Sequence, residues 1–292
     1  MDEKDFELLE VLNETKNITR ASEQLFITQS ALSKRVKAIE KDLGIELLLR
    51  SKQGIRFTPA GEAVLAHCTA AASQLEKMRR ELDSMQDGVC GTLNTGISVN
   101  FAQYRLPDIL AEYHRLYPKV SLKITTGRSH NLYRQIMDGS IDIAVLRGEY
   151  PWDGVKFLLS QENICLICSR EYENTPLSEY LYISHKTDIT QSVMITKWLH
   201  EHNLDPRGSG FCVDNITTCV EMVKRGLGWG LIPEIALINF NGCKRPCTFS
   251  DGEPFIRRTY IFCTHEAAEL PQISAFMELL KRFGEGASWN VK

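Results

Sequence analysis

Residues 21–62 read ASEQLFITQSALSKRVKAIEKDLGIELLLRSKQGIRFTPAGE, and the order of helix, turn and hairpin signals in them decides the fold of the amino-terminal part. Thr19 is placed to cap a short helix through Ala21–Leu25, after which Phe26 and Ile27 make a tight connection. Thr28 suits the N-cap of a further helix over 29–42, since its hydroxyl accepts from a free first-turn amide, and Gly44 stops that helix. Leu32, Val36, Ile39 and Leu43 recur in it at steps of 4, 3 and 4 and define a buried stripe. The opposite face carries Gln29, Ser30, Ser33, Lys34 and Lys37. A strand over Ile45–Leu49, a Gln53–Gly54 turn and a strand over Ile55–Phe57 then form a hairpin. Upstream, Phe6, Leu9 and Leu12 fall at helical spacing within 3–14. Three helices and a hairpin within residues 1–58 make a winged helix-turn-helix.

The chain has 292 residues, enough for two or three domains of ordinary size. Its net charge of −3 hides an asymmetry. Residues 1–27 hold three bases and seven acids; residues 28–58 hold seven bases and three acids. A local basic face, not the total, is what a polyanion meets, so the hairpin region suits double-stranded DNA. In a recognition helix the N-terminal residues meet base edges. Gln29 pairs bidentately with adenine, Lys34 reaches guanine acceptors and Ser33 bonds to either. Thr28, Ser30 with the first amides, Lys37 and Arg50 suit phosphates, and Arg56 suits the minor groove or its phosphates.

Thr58–Pro59 opens the next helix, with Pro at the first helical position, where its missing N–H costs nothing. Val64, Cys68, Ala71, Leu75, Met78, Leu82 and Met85 follow a strict heptad, so 59–87 reads as a dimerisation helix, with packing on its own domain as the alternative. Gly88 and Gly91 mark a hinge over 88–91. Beyond it strands alternate with helices, which predicts an α/β layer architecture with mostly parallel strands over 92–292. Two subdomains fit the length.

Several other signals carry no chemistry. Cys165 and Cys168 fall in one predicted strand, where residues three apart point to opposite faces and share neither a metal nor a disulfide. Cys243 and Cys247 are expected in a loop, free to approach one another, so a redox pair stays open there. His200 and His202 lie at i, i+2 on a helix and do not face each other. Gly226–Gly230 follows a helix, the wrong context for a dinucleotide fingerprint. No metal, cofactor or catalytic motif is found, so no enzyme activity is expected. The acidic, amphipathic first residues and the lack of a long apolar run predict a cytoplasmic protein that does not bind membranes, with its nine cysteines unpaired.

The 21–62 segment resembles the DNA-binding domain of LysR-type transcriptional regulators. The likeness rests on the Ala21–Leu25 helix, Thr28–Gln29–Ser30–Ala31–Leu32–Ser33, Ile39–Glu40–Lys41–Asp42–Leu43–Gly44 and Thr58–Pro59–Ala60–Gly61. Leu48–Leu49 and Lys34 depart from the usual residues without breaking the pattern. The resemblance implies a DNA-binding regulator, a homodimer assembling into a homotetramer, and a carboxy-terminal unit of two periplasmic-binding-protein-like subdomains with a small-molecule effector between them. Subdomain I would span about 92–162 and 266–292, and subdomain II about 163–265. The resemblance also places effector contacts at Ser98, Asn100, Phe101, Ser129 and Arg147, and from the other subdomain at Ser184, Thr187, Asn215 and Thr217. Helix N-termini beside a guanidinium make an anion site, so the effector is expected to be a small anionic metabolite. Simple capping by Ser129 and Asn215, and a surface pair between Arg147 and Glu149 or Asp153, stay open beside it. A solute-binding protein with an accessory amino-terminal domain is the alternative from another class.

Overall fold

The computed structural model describes residues 1–51, 54–84, 88–205 and 209–285, which fall into two compact units, 1–83 and 84–292.

In the first unit α1 (Glu3–Thr15) opens on a capping box. Asp2 accepts from the Asp5 amide at 3.1 Å, and the Asp5 carboxylate accepts from the Asp2 amide at 2.8 Å. Helix α2 spans Ile18–Gln24, and its N-cap is Asn17, which accepts from the amides of Thr19 and Arg20. Thr19 is therefore inside the helix and not its cap, because the Asn17 side chain already satisfies the first-turn donors. Helix α3 (Gln29–Leu43) has Thr28 accepting from the Ala31 amide at 3.2 Å and ends on Gly44 at φ +69°.

The hairpin joins β1 (Leu48–Ser51) to β2 (Gly54–Phe57). Its first strand starts later than the apolar run suggests, because Glu40 accepts from the Leu47 and Leu48 amides at 2.9 and 3.3 Å. The expected turn at Gln53–Gly54 lies partly outside the described residues. Gly54 has φ +122°, and a Cβ there would stand 2.5 Å from the Lys16 carbonyl oxygen, to which Ile55 donates its amide at 2.9 Å. The wing is thereby pinned to the α1–α2 connection.

Helix α4 spans Pro59–Ser84, with Thr58 accepting from the Gly61 amide. Leu9, Leu12, Ala21, Leu32, Val36, Ile39, Leu47 and Phe57 form the core of this unit. Cys68 belongs to that core, and Val64 packs against it. These two heptad positions therefore serve the winged unit, which corrects their assignment to a dimer seam. Ala71 and Leu75 are half-buried, whereas Met78 and Leu82 are exposed. Met85 lies outside the described residues.

The second unit begins with β3 (Gly91–Ser98), so Gly91 already belongs to a strand and not to a hinge. Then follow α5 (Val99–Tyr104), α6 (Leu106–Leu116), β4 (Val120–Gly127), α7 (Ser129–Met137), β5 (Ile143–Arg147) and β6 (Val155–Cys168). The chain continues through β7 (Tyr182–His185), α8 (Ile189–Glu201), β8 (Ser209–Val213), α9 (Ile216–Lys224), β9 (Gly230–Pro233), β10 (Cys243–Pro246), β11 (Ile256–Cys263), α10 (His265–Ala268) and α11 (Pro271–Glu285).

Strands β4, β3 and β5 run parallel, as do β7 and β8. Strand β11 pairs antiparallel with β5 and β6, and β6 pairs antiparallel with β9 and β10. The sheet is therefore mixed rather than mostly parallel. The reason is β6, whose first half pairs with β11 and whose last residues pair with β9 and β10, so one strand passes through both subdomains. The sequence pattern divides β6 into two strands, Val155–Leu159 and Asn163–Cys168, but the polar residues between them, Ser160–Glu162, continue the strand at the crossing. Strand β11 pairs with β5 from Thr259 to Cys263, so the return to subdomain I begins near Ile256 and not after residue 265. Subdomain I packs α6 and α11 on the sheet through Ile109, Tyr113, Phe276 and Leu280; subdomain II buries Trp198, Trp229, Phe249 and Phe255.

Candidate nucleic-acid interface and ligand cleft

Helix α3 turns Leu32, Val36 and Ile39 inward. That burial leaves Gln29, Ser30, Lys34 and Lys37 exposed and Ser33 half-buried on one polar face. Thr28 is exposed, its hydroxyl engaged at the helix start and 3.1 Å from the Ser30 hydroxyl. Arg56 is exposed on β2; the Arg50 side chain lies outside the described residues. Arg35, one of the seven bases of this region, is not part of the free face. Its guanidinium donates to both Asp5 oxygens at 2.5 and 2.8 Å. Burial raises the Asp5 carboxyl, but the hydrogen bonds and charge of Arg35 outweigh it and hold Asp5 below the usual carboxylate range.

In the second unit the carboxyl ends of β3 and β5, the starts of α5 and α7, and the start of α8 surround a cleft of about 570 Å³ between the subdomains. Ser98, Asn100, Ser129, Arg147, Thr187 and Asn215 line it, as expected for the ends of strands in an α/β sheet. Three residues expected there are elsewhere. Phe101 is fully buried in the subdomain I core. Ser184 donates to the Phe211 carbonyl within the β7–β8 pair, and Thr217 donates to Gln103 on an open surface. In each case the chain segment was right but the side chain points into or across the protein.

Arg147 is buried and pairs with Glu162, not with Glu149 or Asp153. Glu162 also accepts from the Ile235 amide at 2.5 Å, so it ties subdomain I to subdomain II. Arg257, the register partner of Glu162 across β11 and β6, pairs with Asp188 and donates to Gln191 at 2.9 Å and to the Arg147 carbonyl at 3.2 Å. Burial raises the Asp188 carboxyl, but the hydrogen bond and charge of Arg257 hold it below the usual carboxylate range. His185 is buried on the same wall; burial, then the charges of Arg147 and Arg257, push its pKa down to about 4, so it is neutral at neutral pH. His185 and Asp188 line the cleft from within segment 184–190, which the sequence reading takes as a cleft loop without singling them out. Gln191 and Arg257 are lining residues that sequence reasoning missed, as is Glu162, the partner of Arg147. Asp188 had a local signal, an acid three residues before Gln191 at a helix start, and it does cap α8 by accepting from the Gln191 amide.

The polar atoms that remain are informative. Ser98 Oγ, Arg147 Nε and His185 Nδ1 are buried in the cleft wall without a hydrogen-bond partner, and buried polar groups ordinarily have one. Ser129 Oγ accepts from the Arg147 amide at 2.9 Å, and no side chain caps α7, whose first residues, Ser129, His130 and Asn131, line the cleft. Asn215 does act as a cap, accepting from the Thr218 amide at 2.8 Å.

The cysteines carry no switch of the expected kind. Cys165 and Cys168 are buried on opposite faces of β6, in different cores. Cys243 lies on a strand opposite Cys168 rather than in a loop beside Cys247. Burial pushes the Cys165 thiol up to about 12 and the Cys243 thiol up to about 11. Among the described residues no group of side chains has metal-binding arrangement and no helix is long and apolar enough to cross a membrane.

Residues 4–62 match the family described as bacterial regulatory helix-turn-helix protein, lysR family, and residues 86–285 match the LysR substrate binding domain. The HTH-type transcriptional regulator YraN of Bacillus subtilis (strain 168), itself described as uncharacterized, is 32% identical over 282 residues, which is 96% of this chain and 98% of that protein. The HTH-type transcriptional regulator EstR of Acinetobacter baylyi is 27% identical over 289 residues, 94% of each. Among solved structures, full-length CbnR complexed with its target DNA aligns with a TM-score of 0.67 at 18% identity over 97% of this chain and 99% of that one. Full-length OxyR from Pseudomonas aeruginosa aligns with a TM-score of 0.63 at 18% identity over 99% and 97%. At these identities the two structures share the fold.

Proposed function

The chain belongs to the LysR family of DNA-binding transcriptional regulators, and from that premise we propose that α3 and the wing read a partly symmetric operator under the control of a small anionic metabolite in the subdomain cleft. A regulator with its own substrate-binding domain fits both matched segments, which a solute-binding protein with an accessory domain does not. Its family consists of regulators, not enzymes.

One observation carries the effector half: three buried polar atoms, Ser98 Oγ, Arg147 Nε and His185 Nδ1, lack partners on the walls of one cleft. A ligand rich in acceptors satisfies the Arg147 donor and the first amides of α7 together. Arg147 and Arg257 are each offset by a carboxylate, so the attraction for an anion comes from oriented donors more than from unpaired cations. On the DNA side, Gln29, Ser33 and Lys34 take the base edges, with Thr28, Ser30, Lys37, Arg50 and Arg56 on the backbone. The exposed apolar pair Met78 and Leu82 on α4 supports pairing with a second copy through Ala71, Leu75, Met78 and Leu82, and from such dimers a homotetramer. Ligand then shifts the balance between arrangements of that assembly and with it the bend of the bound DNA.

The test is a thermal-shift titration of the full chain with carboxylated metabolites and their matched neutral amides, followed by operator binding for each hit. An acid should stabilise the protein where its amide does not. Equal stabilisation by neutral analogues would overturn the anionic reading.

A further inference from the structure

The turn that precedes the recognition helix displays an aromatic ring. Phe26 is 95% exposed, the most exposed of the large apolar side chains described, and its backbone sits at φ +53°, a conformation bulky residues rarely adopt. The ring is held out by a fixed backbone. The Phe26 amide donates to the Glu23 carbonyl at 3.2 Å, and the Ile27 amide donates to the Ser22 carbonyl at 3.0 Å. Ile27, also exposed, follows directly, and Thr28, Gln29 and Ser30 come next on the polar face of α3. An apolar side chain presented rigidly to water has no role in the core of its own unit. It is, however, continuous along the chain with the surface through which this family meets DNA.

We propose that Phe26 is a specificity residue of the DNA interface and packs on the 5-methyl group of a thymine in the major groove. The chemistry is complementary. In the major groove thymine alone among the four bases presents a methyl group, and an aromatic ring is an apolar partner for it. The neighbouring residues on α3 offer hydrogen-bonding and charged groups, which recognise base edges and phosphates but not a methyl. Phe26 thus adds an apolar contact that extends, and rests on, the recognition-helix interface proposed above.

The test uses the full-length protein and a duplex that it selects from a random-sequence pool. That duplex is resynthesised with deoxyuridine in place of thymidine at each position in turn, which removes only the methyl. For the unaltered protein, one position per half-site should weaken binding about 4-fold, the worth of one buried methyl-sized group. Phe26→Asn keeps a residue that tolerates the left-handed backbone, so the turn is retained. It should bind the thymidine and deoxyuridine duplexes equally at that position, and Phe26→Leu should keep part of the difference. Gln29→Ala is the companion variant. If Gln29→Ala loses sequence preference while Phe26→Asn shows the same methyl dependence as the unaltered protein, the Phe26 assignment is overturned and the recognition helix stands. Absence of any methyl-dependent position overturns it as well. Should Gln29→Ala also retain full preference, it is the recognition-helix reading that fails.

Discussion

Arg35 on α3 donates through Nε and Nη2 to the two oxygens of Asp5 on α1, and its Nη2 also reaches Asp2 at 3.2 Å. Asp5 is buried, while Arg35 is half-exposed. The same carboxylate closes the capping box of α1, so one acid fixes both a helix start and the angle at which the recognition helix is held. Asp5→Ala should cost the winged unit about 1–2 kcal/mol, the scale of a lost cap and hydrogen bond at a partly screened pair. It should weaken DNA binding through mobility of α3 and leave the preferred sequence unchanged. Thermal melts paired with selection from a random duplex pool would check this; an altered preferred sequence would mean that Arg35, once released, reads DNA itself.

Substitutions on the polar face should behave in the opposite way. Gln29→Ala or Lys34→Ala should remove about 1–3 kcal/mol of discrimination at the base each one reads, with little change in stability. Arg56→Ala should weaken all sequences alike and lower the salt slope by about one ion. Binding isotherms at several salt concentrations on matched and mismatched duplexes separate the two behaviours.

The burial of Cys68 divides the heptad. Leu82→Glu places a charge at an exposed apolar position of α4, so it should halve the particle mass in light scattering without lowering the melting temperature. Cys68→Glu should instead unfold the winged unit, because that position lies in its core. An unchanged mass for Leu82→Glu would move dimerisation to the second unit.

In the cleft, Arg147→Ala removes the cation from a largely buried carboxylate, Glu162, and should destabilise the second unit by about 3–5 kcal/mol. The double variant Arg147→Met/Glu162→Gln removes both charges and should recover most of that loss while abolishing the response to acidic ligands. Calorimetry of the three proteins, with and without a carboxylate that stabilises the unaltered chain, provides the comparison. A single variant as stable as the parent would show that Glu162 finds another partner.

His185 gives the pH dependence a defined window. Its folded pKa of about 4 lies below the ordinary histidine value, so between about 4 and 6.5 the unfolded chain binds the extra proton. Stability from this residue is complete above about pH 6.5 and falls as the pH drops through 4, by about 3 kcal/mol in all. Asp188 and Asp5, with lowered carboxyl pKa values, add losses only at still lower pH. His185→Gln should flatten the pH 4–6.5 limb in denaturant titrations and leave the more acidic limb in place.

Much of this was legible in the chain because it is local. The stripe Leu32–Val36–Ile39, the Thr28 cap and the Gly44 stop need only residues within a few positions, and α3 falls where they put it. Ser98, Ser129 and Arg147 were reachable through the family resemblance, with which the rule that ligands meet the ends of strands agrees. Glu162 and Arg257 were not, since they become neighbours only when β6 and β11 pair across a separation that no local pattern records. The polar middle of β6 defeated strand reading for the same reason: at the crossing between two subdomains a strand has no single core to alternate against. Side-chain direction was the other loss. Phe101 and Ser184 lie on the right segments but turn away from the cleft, which follows from pleat and helix phase rather than position along the chain.

Asn163 on β6 and Ile256 on β11 stand opposite one another, so the strands by which the chain enters and leaves the second subdomain run side by side. Residues 164–255 are therefore a lobe inserted into its neighbour through two adjacent connections. Such an insert is modular in a way that a segment with distant ends is not. It is a unit of exchange, by which recombination between relatives could replace one wall of the cleft while the other wall and the DNA-binding unit stayed as they were.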